Sequence, residues 1–253
     1  MSVQSSSRSR SAYPRAAATP RFWSPARLAE ASALGAWAGL FWYLMPAGRS
    51  ALYLSSRTSW VVPLGAVLLT LGAVGRLAGA RARVPEPLSR RYALGIGLTV
   101  VPVVAVLALP PSALGSYAAS KRSSFVSSGY LASPEDVASG DLSLADIAGA
   151  LQSQGGARAL ARRAGSRVSL VGFVTRESGL PADEFVLTRF LVSCCVADAL
   201  SVQVRVVGVP PGTLKTDQWV RVEGALYPLE NEALVDASKV VRVERPARPY
   251  LNP

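Results

Sequence analysis

Three uncharged stretches, each bounded by ionic residues, begin within the first 111 positions of the chain. They are 31–48 between Glu30 and Arg49, 58–75 between Arg57 and Arg76, and 92–120 between Arg91 and Lys121. A helix needs about 20 apolar residues to cross a bilayer core, with roughly 17 as the short limit. All three stretches reach that length, which predicts three membrane spans near 31–48, 58–75 and 92–110. Pro63 falls in the first turn of the second, where it is tolerated. Pro102 lies inside the third, where a kink is expected, and Pro110 and Pro111 close it.

Charge sets the orientation. The formal net charge is +11, but residues 1–111 hold 12 Arg against only Glu30 and Glu86. Residues 112–253 hold 15 Lys and Arg against 14 Asp and Glu, which leaves that region nearly neutral. A nucleic-acid module concentrates basic charge on its folded domain, so this distribution argues against a nucleic-acid partner. Cytoplasmic flanks of membrane helices are enriched in Lys and Arg. Arg8, Arg10, Arg15, Arg21 and Arg27 precede the first span, and Arg76, Arg81, Arg83, Arg90 and Arg91 separate the second from the third. The first loop has only Arg49 and Arg57. Three crossings with a cytoplasmic N-terminus put both arginine-rich segments inside and residues from about 112 onward outside. The first span is read as retained: a cleaved signal peptide has a short charged region and a core of small bulk, whereas here a long tail precedes Trp37, Trp42 and Tyr43.

The chain divides accordingly. Residues 1–30 read as a basic cytoplasmic tail, disordered over the Ser/Arg/Ala/Pro-rich 1–20, and 31–111 as the three-span region. A linker with short helices follows over 112–165. It is expected to be irregular over 112–141, then helical over 144–153, with Ser143 as N-cap and Asp146 at the third position. Gly155 and Gly156 end that helix, and a second one covers 157–164. From Arg167 the apolar period becomes two, giving strands near 167–174, 184–196, 200–208, 217–226 and 233–244. Val202, Val204 and Val206 alternate with Gln203 and Arg205, as a half-buried strand requires. Five short strands over 166–246 predict a small β-rich domain, an OB-like five-stranded barrel with a sandwich as the alternative. Residues 247–253 form a proline-rich tail.

The chain has no histidine, which removes Ser-His-Asp and Cys-His catalysis. No phosphate-binding glycine loop, nucleophile elbow or paired-cysteine metal spacing is present, so the expectation is a non-enzyme. The spans lack internal Asp, Glu, Lys and Arg, the groups that mark ion and proton pathways. They do carry Gly35-x-x-x-Gly39 and Gly75-x-x-x-Gly79, a spacing that lets helices pack closely. The only cysteines, Cys194 and Cys195, are adjacent and followed by Asp198. If the strand continues through them they face opposite ways, Cys194 with Val186, Phe190, Val192 and Val196, and Cys195 with Arg189 and Ser193. A disulfide between them would be strained, because neighbouring Cα atoms lie about 3.8 Å apart, below the usual disulfide range. Cys194 then reads as a small buried hydrophobe with Cys195 an incidental thiol. The functional alternative is a soft-metal, redox or substrate site at Cys194, Cys195 and Asp198, completed by a partner's ligands. Trp219 reads as strand packing.

Leu109-Pro110-Pro111-Ser112-Ala113-Leu114-Gly115-Ser116, Gly172-Phe173-Val174, Arg189-Phe190, Cys194-Cys195-Val196-Ala197-Asp198 and Pro249-Tyr250 follow three N-terminal spans. In this combination the chain, from about residue 35 onward, resembles the YcgQ-like permease-subunit family of bacterial membrane proteins. The resemblance implies an accessory subunit working with a separate integral-membrane permease. Some members carry a histidine-rich loop between the second and third spans and are linked with metal handling. Residues 76–91 here contain arginine and no histidine, so a loop-borne metal store is not expected.

The sequence therefore predicts a multi-pass protein of the cell membrane, a non-enzymatic accessory subunit of a two-component permease. Its β domain would contact the partner or the substrate. The competing readings are a membrane-anchored thiol- or metal-binding envelope protein acting without a permease, and an envelope assembly protein.

Overall fold

The computed structural model describes residues 22–82, 84–109, 112–121, 132–229 and 232–252. The expected disordered tail over 1–20 and the Pro110-Pro111 stop lie outside these residues. Three long helices come first: α1 (Pro25–Leu44), α2 (Val61–Ala78) and α3 (Arg90–Ala108).

Their packing follows from paired positions. Leu34 meets Gly72 and Phe41 meets Gly65, so α1 and α2 run antiparallel. Trp37 Nε1 donates to Thr99 O at 2.9 Å, and the Tyr92 hydroxyl binds Glu30, so α3 runs parallel to α1 on another side. A second indole, Trp42 Nε1, donates to Thr70 Oγ1 at 3.1 Å.

Residues 22–30, expected in the tail, instead form a two-residue strand β1 (Phe22–Trp23) and the first turns of α1. Pro25 supplies a preset φ at the helix start. Arg27 and Glu30, which bound the apolar stretch in sequence, are neutralised at this end of the bundle. Arg27 pairs with Glu86 at 2.7 Å and Glu30 with Arg76 at 2.6 Å. Strand β1 pairs with β2 (Arg81–Ala82) of the α2–α3 connection, and Ser24 N–H donates to Ala80 O at 2.8 Å. At the other end α1 stops at Leu44 rather than at residue 48. Pro46 cannot continue the helix ladder, and Pro46–Leu52 form a 3-10 segment with Gly48 at φ 64°.

Helices α2 and α3 are long and apolar enough to cross a membrane, by length and composition. The Ala/Gly-rich α1 is not, so two of the three expected spans meet that measure among the described residues.

The C-terminal region is a closed five-stranded barrel of β3 (Arg167–Thr175), β4 (Phe185–Leu191), β5 (Leu200–Val207), β6 (Trp219–Pro228) and β7 (Ala233–Arg242). The order around the barrel is β3-β4-β5-β7-β6, closed by β6 on β3. Only β5 and β7 pair in parallel. Closure excludes the sandwich alternative. Val202, Val204 and Val206 point inward and are essentially fully buried, as their alternation requires. A register shift at Glu223/Gly224 bends β6, where the absent side chain of Gly224 admits the Asp236 carbonyl. Arg205, on the outer face, pairs with Glu184 at 2.7 Å and Glu232 at 3.4 Å.

Four short helices precede the barrel: α4 (Ser116–Lys121), α5 (Pro134–Ser139), α6 (Leu144–Ala150) and α7 (Gln154–Ala161). The expected Ser143–Asp146 cap is a full capping box. Gly155 and Gly156 open α7 instead of ending α6, because Ser153 Oγ accepts from Gly156 N–H at 3.0 Å and caps a new helix. The stretch read as irregular over 112–141 holds α4 and α5, the latter capped by Ser133 on Glu135 N–H. Val137, Ile147 and Leu160 of these helices share one buried core with Leu170, Leu187, Val222 and Leu226 of the barrel.

Candidate functional site: the junction of barrel and helices

The cysteine pair lies in a loop, not on a strand. Strand β4 ends at Leu191, because Val192 N–H turns to Leu251 O at 3.0 Å instead of the ladder. A 3-10 turn at Val196–Asp198 then folds the chain back. The Asp198 carboxylate accepts from Ser193 N–H at 3.0 Å and Cys194 N–H at 2.7 Å. An aspartate that satisfies nearby backbone donors in this way fixes a turn by itself. Cys194 is consequently exposed and Cys195 half-buried, contrary to the alternation expected of a continuous strand.

The two thiols are free, with Sγ atoms 3.7 Å apart. The hydrogen bond from the Cys194 thiol to Asp198, aided by Cys195 and the nearby negative charge, pushes that thiol up to about 11. Asp198 titrates low: burial pushes it up, but hydrogen bonds from the Cys194 thiol and from the backbone of Cys194, Ser193 and Cys195 prevail. The thiolate is the species that binds soft metals and attacks electrophiles, and here Cys194 is held as the thiol. Among the described residues no group of three or more His, Cys, Asp or Glu is placed to hold a metal ion.

What the loop does hold is the α1–α2 connection. Cys194 O accepts from Ser55 N–H at 3.1 Å and from Thr58 Oγ1 at 2.6 Å. Cys195 forms an isolated antiparallel bridge with Leu54, and Val196 N–H donates to Tyr53 O at 2.9 Å.

The other sequence motifs meet at the same place. Tyr250 is buried, its hydroxyl donating to Leu52 O at 3.1 Å and accepting from Leu114 N–H at 3.2 Å. Leu251 runs parallel to Leu191, and Asn252 Oδ1 accepts from Ser56 N–H at 3.2 Å. Arg189 clamps the tail, donating from Nε to Pro249 O and from Nη2 to Arg248 O, both at 2.9 Å. Phe173, Phe190 and Val192 form a second apolar cluster with Ala119, Ala199 and Tyr250 on this side of the barrel. Trp219 packs edgewise on Phe173 with ring centroids 5.7 Å apart, consistent with a packing role. Asp217 sits in the left-handed region at φ 64° and accepts from Ser116 N–H at 2.5 Å and Ser116 Oγ at 2.9 Å. A Cβ at Gly115 would lie 2.7 Å from that carboxylate, so glycine is needed before the serine. A cleft lined by Ser50, Ser56, Ser59, Arg248, Tyr250 and Asn252 remains within the junction.

The glycine pairs fall elsewhere. Gly35, Gly39 and Gly75 have open space where a side chain would be, and a Cβ at Gly79 would lie nearest Gly75 O, Arg76 O and the Arg27 guanidinium. The close contact between α1 and α2 is made at Gly65 and Gly72. The face of α1 toward α2 carries Leu34 and Phe41, one heptad apart, and Gly35 lies about 100° around the helix from Leu34. The junction and Gly65 were not evident from spacing. The signal for Gly65 was a lone glycine inside an apolar helix, which usually has a packing reason.

Residues 158–253 match the family model of the DUF1980 C-terminal domain, a span that holds the last turn of α7, the barrel and the tail. No curated protein matches the chain.

Proposed function

We propose that this chain is a non-enzymatic accessory membrane subunit of a two-component permease. In this reading three helices anchor an OB-like barrel that contacts a separate integral-membrane permease or its substrate. The observation that carries it is the junction. The barrel is not hung on a free linker but is fastened to the α1–α2 loop through Cys194, Cys195, Tyr250 and Asn252. A barrel fixed against a helix bundle presents one constant surface to a partner, and pre-organisation of that kind lowers the cost of association.

The helices support the same reading. Leu68 and Leu71 on α2 and Leu94 and Leu98 on α3 are more than half exposed, a face suited to lipid or to a partner helix. We take α1 as the third span because it lies alongside α2 and α3 and its ionic residues are paired at its first turns. The outward Gly35, Gly39 and Gly75 leave room for close approach of a partner's helix. The middle of each helix lacks ionisable side chains, so the route through the membrane is assigned to the partner.

Topology follows from which segments share an end. The Arg-rich α2–α3 connection sits with Phe22–Trp23, and the arginine-poor α1–α2 loop sits with the barrel. The positive-inside rule then puts the former in the cytoplasm and the barrel outside. The OB-like reading rests on the strand order with its single parallel closure of β5 on β7.

The test is extraction of the tagged chain from its native membrane in mild detergent. The expected result is co-purification of a larger polytopic membrane protein in fixed ratio. Recovery of the folded chain alone would sink the proposal.

A further inference from the structure

The Cys194 carbonyl belongs to the peptide bond that joins Cys194 to Cys195, and it is the acceptor for both Ser55 N–H and Thr58 Oγ1. The residue on the far side of that bond, Cys195, makes the bridge to Leu54. One peptide plane therefore carries the hydrogen bonds that hold Ser55 and Thr58 of the α1–α2 loop to the barrel, and a free thiol stands on each side of it. We propose that Cys194 and Cys195 form a redox modification site, whose oxidation to a vicinal disulfide frees the Ser55–Thr58 turn of the α1–α2 loop from its shared acceptor on the barrel.

The geometry couples the two events. Neighbouring Cα atoms across a trans peptide are about 3.8 Å apart, and disulfides favour roughly 4.4–6.8 Å. Closing the bond must twist the joining peptide, and the Cys194 carbonyl turns with it. Ser55 and Thr58 then lose their shared acceptor. A bond strained in this way is readily reduced, so the change is reversible.

The oxidant is a low-molecular-weight disulfide, RSSR. The Cys195 thiolate attacks one of its sulfurs, forming a mixed disulfide and expelling RS⁻, which takes up a proton. Cys194, whose Sγ lies 3.7 Å from that of Cys195, gives its thiol proton to water. Its sulfur then displaces the second RS⁻, which leaves as RSH. Two cysteine thiols and RSSR become one protein disulfide and two RSH; the cysteine sulfurs are oxidised and those of RSSR reduced.

The experiment uses the full chain in mild detergent with oxidised glutathione, read by intact mass and by amide hydrogen exchange. The expected product is lighter by two hydrogens and carries no glutathione. Its Ser55 amide exchanges about tenfold faster, as for loss of one hydrogen bond. Core barrel amides such as Val204 keep their protection, and dithiothreitol restores Ser55. Cys195→Ser abolishes both the mass change and the Ser55 effect. The proposal is overturned if the pair stays reduced or stops at a glutathione adduct. It is equally overturned if the disulfide forms with Ser55 still protected, or if Val204 loses protection as well. No partner takes part in this measurement, so its failure leaves the permease proposal standing.

Discussion

The Tyr250 hydroxyl donates to the Leu52 carbonyl at 3.1 Å, across 198 positions of sequence, and accepts from Leu114 N–H at 3.2 Å. One phenol thus ties the C-terminal tail to the α1–α2 loop and to the segment that follows α3. Tyr250→Phe keeps the ring and removes both bonds. Leaving buried backbone groups unpaired costs about 1–3 kcal/mol. The expected outcome is a lower melting temperature and faster proteolysis within 46–60, with the barrel still folded. Unchanged cleavage in that loop would mean the hydroxyl does not hold the junction.

The shared ends of the helices predict which positions are accessible from outside. In a Cys194→Ser, Cys195→Ser background, a cysteine at exposed Glu177 on the barrel should react with an impermeant maleimide on intact cells. A cysteine at Val84, 80 % exposed on the α2–α3 connection, should react only after lysis. The reverse pattern would invert the proposed topology.

Thiol reactivity should report the Asp198 contact. Cys194 titrates above its ordinary value, at about 11, so the folded state favours the thiol. Any stability from this contact is present at neutral pH and is lost as pH rises from about 9 through about 11. Alkylation of Cys194 in a Cys195→Ser chain should therefore keep accelerating beyond pH 9. Asp198→Asn removes the negative acceptor, so its alkylation should be several-fold faster at pH 8. Equal rates in the two chains would show that Asp198 does not restrain the thiol.

Helix packing should discriminate among the glycines. A Cβ at Gly65 would stand 2.5 Å from the Phe41 ring, and overpacking of this kind costs about 1–3 kcal/mol. Gly65→Leu should lower the thermal stability of the purified chain, while Gly35→Leu should not. If Gly35→Leu abolishes partner recovery yet leaves the melting temperature unchanged, the outward glycines serve the partner.

Barrel closure should depend on Gly224. At the bulge any side chain would run into the Asp236 carbonyl, and separating β6 from β7 breaks the ladder on both sides. Gly224→Val should unfold the barrel or cost more than about 3 kcal/mol, read by loss of β-sheet circular dichroism. A stable Gly224→Val barrel would refute this account of the closure.

Much of the fold was legible because its signals are local. Val202, Val204 and Val206 announce β5 by alternation, and Ser143 with Asp146 announces α6 by a spacing of three. The structure departs from the sequence pattern where another contact, near or far along the chain, overrode it. Cys194 and Cys195 continue an apolar run, yet Asp198 and Leu251 draw the chain out of β4. Gly155 and Gly156 look like a helix stop, yet Ser153 makes them a helix start. Gly35 and Gly39 have the packing spacing, but the rotation of α1 turns Leu34 and Phe41, not the glycines, toward α2.

The sequence by itself determined the long apolar segments and the change to period two at Arg167. Each depends on side-chain type and spacing along a single element. The tertiary structure alone decided the closed strand order, the antiparallel pairing of α1 and α2, and the junction. There the acceptors include the backbone carbonyls of Leu52, Tyr53 and Cys194. A carbonyl is the same in every residue, so only the folded path of the chain reveals which donor it meets.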